Sequence, residues 1–324
     1  MKVQVVKKRF ELREPFIITG HVFDYTDVIE ITISDGQHSG RGEAVGSYYL
    51  DETPESMIVD LAPVLNSSGS LNLKQINELL PACGARNALD CALWDYQSKV
   101  TGKSVWQQLD LTPQPLTTVF TIGLASAEEM AENASKANSF KRLKLKISDE
   151  TPIEKLEAIR FARPDANLVI DVNQGWSFDE LRDYAPHCQR LNIAMIEQPL
   201  KRGQDDELLD YQSPVALGAD ESCLSMKEFA PIPEKYQVLN IKLDKCGGLT
   251  EALQLVKAAQ EHDMQLMIGN MTGSSLSMAP AYVIGQYCQF VDIDGPLLQR
   301  DDVKHGLKYL EGGEVSIPEP ELWG

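Results

Sequence analysis

The sequence predicts an α/β protein in which a closed barrel of parallel strands follows an α+β unit. Three features carry that expectation. Strands precede a run of helices in the first hundred residues, a strand–helix rhythm repeats from about residue 115, and charged residues end five successive strands. Strand followed by helix at a repeated interval implies parallel strands joined by crossovers. Eight such strands packed this closely favour a closed barrel over an open sheet.

The elements follow in order. Residues 2–12 and 27–34 alternate as strands, with Asp35-Gly36 as the turn signal after the second. A loop is expected over 15–25 and another over 46–50. The strongest helix, residues 85–99, repeats Ala88, Leu89, Ala92, Leu93 and Tyr96 at helical spacing. Barrel strands are expected at 117–122, 143–147, 168–172, 194–196, 215–219, 238–243, 265–268 and 290–293. No Gly-x-Gly-x-x-Gly follows the first strand, which argues against a dinucleotide fold. From about residue 301 the rhythm lapses. The expected division is 1–112 for the α+β unit, rejoined by 300–324, and 113–299 for the barrel, within the size of about two domains.

Composition narrows the function. Acidic residues number 48 against 30 basic, a net charge of −18. Such a surface repels phosphate backbones and anionic lipid, so neither nucleic acid nor a membrane is an expected partner. The N-terminus alternates like a strand and lacks the apolar block of a signal peptide. Six cysteines without a CxxC pair fit a reducing compartment, so a cytoplasmic location is expected. Five dispersed histidines, with no HxH or HExxH, weigh against zinc.

The charged strand ends carry the chemistry. Lys146, Asp171, Glu197, Asp220 and Lys242 end the second to sixth strands at intervals of 25, 26, 23 and 22 residues, and Asp292 follows Lys242 by 50. The C-terminal ends of barrel strands are where barrel active sites are built. Pleat alternation turns Lys144 and Lys146 inward, with Leu143, Leu145 and Ile147 outward. It puts Asn240, Lys242 and Asp244 on one inward face and leaves Lys245 on the wrong one. Asp292 and Asp294 also face in.

Three carboxylates on adjacent strands, Asp171, Glu197 and Asp220, need a cation to relieve their repulsion. All-oxygen donors favour Mg²⁺, with Mn²⁺ as a substitute. Lysines on the second and sixth strands would flank a bound substrate. Lys144 is expected to lower its neighbour's pKa by like-charge repulsion, which suits a lysine acting as a general base. The metal would take up negative charge as an α-proton leaves.

These residues resemble a known family. Lys144-Leu145-Lys146, Asp171-Val172-Asn173, Glu197-Gln198-Pro199, Ala219-Asp220-Glu221-Ser222 and the run Asn240 to Gly248 are similar to the enolase superfamily, muconate lactonising subgroup. The block Ala85 to Asp95 resembles the capping-domain helix of bacterial dipeptide epimerases. The resemblance covers essentially the whole chain and implies a modified TIM barrel, (β/α)7β, under an α+β capping domain. It implies Lys146 and Lys242 as the two acid/base catalysts, supported by Lys144, with Asp171, Glu197 and Asp220 as Mg²⁺ ligands. Asp292-Ile293-Asp294 resembles the Asp-x-Asp signature of dipeptide epimerases, which holds the α-ammonium of the N-terminal residue. Thr121 lies where the family places a substrate contact. Alanyl-glutamate epimerases of this type carry an arginine in the first capping loop. Here residues 18–25 contain none, which leaves His21 or a neighbour such as Asp24 as the substrate contact.

The expected function is therefore an isomerase: an epimerase or racemase working by 1,1-proton transfer on a small-molecule substrate, a dipeptide or an N-acyl amino acid. A dipeptide epimerase leads. An N-acyl amino acid racemase, such as an N-acetyl-glutamate racemase, is the first alternative, and an o-succinylbenzoate synthase the next. A Schiff-base lysine aldolase on the same barrel and a non-enzymatic ligand-binding barrel are the readings from other classes. Whether the chain forms a homo-oligomer stays open. Trp176 is expected to pack at the barrel rim, and residues 269–275, which lack nearby basic residues, to line the substrate pocket.

Overall fold

A computed structural model describes residues 1–65, 71–148 and 150–324. Its first unit is an antiparallel sheet of Lys2–Ile18, His21–Ser34 and Ser39–Ala44, in that order. The expected loop over 15–25 is instead the far arm of the first hairpin. Phe16, Ile17 and Ile18 pair with Phe23, Val22 and His21, and the chain turns at Thr19-Gly20, with Gly20 at φ +79°. Pro15, the signal for a loop, sits in the stretch between Glu11 and Phe16 where the ladder breaks register, so its missing N–H costs no ladder bond. The loop over 46–50 contains a single 3-10 turn, Tyr48–Leu50.

The helix expected over 85–99 runs Gly84–Thr101 and ends at Gly102, whose φ of +65° suits a left-handed cap. It lies directly on the third strand. A Cβ on Gly42 would fall 2.1 Å from Ala88 O, and one on Gly40 2.1 Å from Tyr96 N. Only glycine allows that approach. Ile29, Ile31 and Ile33 meet Ala88, Leu89 and Ala92 in a core of their own.

The second unit is a sheet of eight parallel strands: Phe120–Ile122, Arg142–Lys146, Asn167–Asp171, Ile193–Glu197, Ala216–Ala219, Val238–Ile241, Gln265–Ile268 and Phe290–Val291, each beside the next. Val119 N donates to Val291 O at 2.8 Å and bridges the first strand's approach to the last. This is the modified barrel fold. Leu143, Leu145, Leu168, Ile170, Ile196 and Leu217 face the surrounding helices. Val119, Val169, Met195, Val238 and Met267 fill the barrel's lower interior, leaving the polar strand ends to its mouth.

Three differences from expectation matter. The strand over 117–122 divides: Leu116–Thr117 pairs with Glu314–Val315 outside the barrel. The crossovers after the fourth and fifth strands carry a 3-10 turn, Asp206–Asp210, and one helical turn, Ile232–Lys235, where amphipathic helices are expected. The sixth strand stops at Ile241, and Leu243–Cys246 forms a short helix closed by Gly247 and Gly248 at φ +75° and +115°. No helix among the described residues is long and apolar enough to cross a membrane.

Buried polar contacts dock the cap on the barrel. Arg86 Nε donates to Gly247 O at 3.1 Å, and its Nη2 to Cys246 O at 2.5 Å and to Glu251. Asp90 accepts from Thr250 N at 3.0 Å. Asp244, read as facing the barrel mouth, instead accepts from Val45 N and Gly46 N of the cap at 2.9 and 3.0 Å, because the helical turn carries it off the strand. The chain end returns: Trp323 Nε1 donates to Cys91 O at 2.9 Å and Gly324 N to Asp95 at 2.7 Å.

Glu43, fully buried on the third cap strand, accepts from Ser274 N at 2.8 Å and Ser274 Oγ at 2.6 Å across the same interface. Burial pushes its carboxyl up to about 7 despite those bonds, with Glu30 and Asp244 adding to the rise. The folded chain thus binds this proton more tightly than the unfolded one. The group's contribution to stability is full below its unfolded pKa and lost as pH rises through about 7. A decline in stability between pH 5 and pH 8 is expected, and Glu43→Gln should flatten it, as read by urea titrations across that range. Parallel pH profiles for the two proteins would show that Glu43 does not titrate there.

Candidate active site

Strand register brings the charged ends level. Lys146 pairs with Asp171, Asp171 with Glu197, and Glu197 with Gly218, two residues before Asp220. Lys146 Nζ donates to Asp171 Oδ2 at 2.6 Å and Asn173 Oδ1 at 3.1 Å. Lys242 Nζ, just past the end of the sixth strand and four places around the barrel, donates to Asp220 Oδ2 at 2.6 Å. Lys144 Nζ stands among three carboxylates, 3.1 Å from Asp171, 2.8 Å from Glu197 and 3.0 Å from Asp292.

Lys245, assigned the wrong parity from the sequence, reaches the same cluster. Its Nζ donates to Asp220 Oδ1 at 2.7 Å and Asp220 O at 2.6 Å, with Cys223 O and Asn240 O completing its shell. The helical turn after Lys242 resets the side-chain period and swings it under Asp220. The Gly247-Gly248 pair was the available sign that the strand had ended. Asn240 Nδ2 holds Glu197 Oε1 at 2.6 Å.

The ionisation of these groups follows from their neighbours. Burial alone would strip the Lys144 proton, but Glu197, Asp171 and Asp292 hold its pKa well above the ordinary lysine value. Its charge is taken up by those carboxylates. Burial likewise opposes the proton on Lys242, and Asp220 outweighs it, raising the group. Burial pushes Asp171 and Asp220 up, yet the lysines bring both below the usual carboxylate range. Glu197 and Glu221 go the other way, raised by burial and by the carboxylates beside them.

The cluster sets six carboxyl groups (Asp171, Glu197, Asp220, Glu221, Asp292 and Asp294) against the ammonium groups of Lys144, Lys146, Lys242 and Lys245, all ten side chains buried. Among the described residues no three carboxylates are arranged to hold an ion as they stand; Lys144 Nζ occupies the point on which Asp171, Glu197 and Asp292 converge. Glu197 Oε2 lies 2.8 Å from Lys144 but outside hydrogen-bond alignment, so its lone pairs remain available. Donor chemistry, with that buried oxygen left without a partner, therefore fits a hard divalent cation at Asp171, Glu197 and Asp220.

A cavity of about 390 Å³ opens over this cluster. Lys146, Lys242, Asn173, Glu221 and Asn270 line its inner end, and Phe16, Phe23, Tyr25, Tyr48 and Tyr49 its cap side. His21 stacks edge-on against Tyr48 at 4.7 Å, joining hairpin tip to second loop. Asp24 is exposed and does not line the cavity; strand alternation turns it outward. Asp27 does line it, held by Arg9 through contacts of 2.7 and 2.8 Å. Thr121 contributes its backbone N–H, which donates to Asp294 Oδ2 at 2.7 Å. Asp292 and Asp294 are adjacent and buried, and burial together with Asp292 raises the Asp294 carboxyl. Neither borders the cavity, and Asn270, bonded to both, does. Trp176 packs at the rim, its Nε1 donating to Ser148 O at 3.2 Å.

Comparison with known proteins gives this geometry a family. Residues 1–109 match the mandelate racemase/muconate lactonizing enzyme N-terminal domain, and residues 126–320 the enolase C-terminal domain-like family. An N-acetyl-D-glutamate racemase from Pseudoalteromonas sp. is 36% identical over 92% of this chain and 95% of its own. An enolase family member from Agrobacterium tumefaciens with homology to dipeptide epimerases, bound to sodium and L-Ala-L-Glu, is 38% identical, with a TM-score of 0.96 and 99% of each chain covered. A dipeptide epimerase from Methylococcus capsulatus, complexed with Mg and L-Arg-D-Lys, is 29% identical with a TM-score of 0.91, covering 99% of this chain and 98% of that one. With both of its parts matched and its fold shared along nearly the whole length, the chain belongs to the mandelate racemase/muconate lactonizing enzyme family of the enolase superfamily.

Proposed function

We propose that this chain is an isomerase, a Mg²⁺-dependent epimerase or racemase that inverts the α-carbon of an N-acylated amino acid, with a dipeptide as the leading substrate. One observation carries the reading. Lys146 and Lys242 line a single cavity from strands on opposite sides of the barrel, each bonded to a different carboxylate. A substrate held between them presents one face of its α-carbon to each amine.

The reaction needs two proton transfers. One lysine, as the free amine, takes the α-proton; the C–H pair of electrons stays on the substrate and spreads into its carboxylate. The other lysine, as the ammonium, gives its proton to the opposite face. The two lysines exchange protonation states and the stereocentre is inverted. Asp171, Glu197 and Asp220 would hold the metal, which supplies stabilisation for the negative charge gained by the substrate carboxylate. Lys144 holds Asp171, Glu197 and Asp292 in mutual position. In the dipeptide reading, Asp292 and Asp294 would receive the free amino group in place of the Asn270 amide, since paired carboxylates make a strong ammonium site.

A second reading, an N-acyl amino acid racemase, is favoured by the burial of Asp292 and Asp294 away from the cavity, and by the name of the Pseudoalteromonas relative. Exchange in D₂O with Mg²⁺ separates the two. Deuterium at the α-carbon of pooled L,L-dipeptides supports the first, and deuterium in N-acetyl amino acids alone supports the second. No exchange in either pool overturns both. Lys146→Ala and Lys242→Ala are each expected to cut epimerisation by about 10²–10⁴-fold. Each should still exchange the α-proton of one stereoisomer through the surviving lysine; normal epimerisation by either variant would refute its role. Treatment with EDTA should abolish turnover, with recovery on adding Mg²⁺ or Mn²⁺. Mg²⁺ should also raise the melting temperature of the stripped protein, as any ligand selective for the folded state does.

A further inference from the structure

The Asp292–Asp294 pair is satisfied from three sides. Asp292 Oδ2 accepts from Lys144 Nζ at 3.0 Å, and Asp294 Oδ2 from Thr121 N at 2.7 Å. On the third side stands the carboxamide of Asn270. Its Nδ2 lies 2.8 Å from Asp292 Oδ1, 3.1 Å from Asp292 O and 3.3 Å from Asp294 Oδ1. Two amide hydrogens cannot serve three acceptors well, and the long contact to Asp294 is the weakest.

The amide cannot rotate away from this task. Asn270 Oδ1 accepts from Thr272 N at 2.6 Å, with Thr272 in the left-handed region at φ +64°. Thr272 O in turn accepts from Gln299 Nε2, a fully buried side chain, at 2.8 Å. The oxygen is thereby committed to the loop and the NH₂ to the acids. Asn270 also borders the cavity, whereas both aspartates lie behind it.

We propose that Asn270 is the specificity-determining residue of this site: its carboxamide occupies, between the cavity and the aspartate pair, the position a substrate's amino group would take. The inference rests on the epimerase/racemase reading above. With the amide in place, the acids already have a neutral donor, and a substrate whose nitrogen is acylated leaves them satisfied. Without it, Asp292 Oδ1 and Asp294 Oδ1 lose the donor that stands between them and the cavity. An ammonium then supplies the missing donors and an N-acyl group cannot.

Asn270→Ala and Asn270→Ser are to be compared with the wild-type protein on a free-amine L,L-dipeptide and on the N-acetyl form of its second residue. The readout is kcat/KM for each, or the inhibition constant for whichever compound is not turned over. Both variants should move the ratio at least tenfold towards the free amine. Equal losses on both compounds, as a purely structural residue would give, or a shift towards the N-acetyl compound, overturn the inference. The serine variant, smaller yet polar, keeps the comparison open if the alanine variant does not fold. Failure of the wider reading looks different: wild-type protein would then exchange no α-proton in either compound.

Discussion

Charge removed from water is the constraint around which this molecule is arranged. Four lysines and six carboxyl groups lie buried at one end of a barrel. A single such ion would be prohibitive on its own, so each is tolerated only through partners placed within hydrogen-bond reach. That requirement explains the supporting residues. Asn240 on Glu197, Lys245 on Asp220 and Asn173 on Lys146 hold an otherwise repulsive set in one geometry. The strands below supply rigidity, with an apolar interior of Val169, Met195 and Met267 that yields to charge only at the mouth.

The two units divide the labour. The barrel supplies the charged groups from strand ends, where neighbours are fixed by backbone pairing. The cap supplies an aromatic wall from a hairpin and a short loop, where Phe23, Tyr48 and His21 lean on one another. Chemistry is therefore built on the stiffest part of the fold, and the shape of the substrate's side chain is read by the more adjustable part.

Much of this was legible in the sequence for a physical reason. Parallel strands alternate with period two, and each βα unit repeats at nearly constant length, so charged residues spaced 22 to 26 apart had to converge. Where the period changed without an obvious sign, the reading failed. Lys245 and Asp244 were placed by strand parity although the chain had already turned helical after Lys242. Pro15 suggested a loop where it occupies a break in a continuing hairpin. Asp24 and Asp27 show the limit within that hairpin: three residues apart, they take opposite faces, and which face meets the cavity is decided by how the cap sits on the barrel. The screen between the aspartate pair and the cavity was invisible, because Asn270 comes from a different loop some twenty residues earlier in the chain.

The cap's attachment has a kinetic consequence. Arg86 on Cys246 and Gly247, Asp90 on Thr250, Asp244 on Val45 and Gly46, and Glu43 on Ser274 pin it to the barrel at four buried points. Swinging the cap away as a rigid body would break all of them at once and strand their charges. Traffic to and from the cavity would then pass the hairpin tip and the loop beside it, where Gly20 turns a strand pair whose outer residues are exposed. Dwell time of ligand would then be set by the rate at which His21 and Phe23 part from Tyr48, a local rearrangement decoupled from the stability of either core.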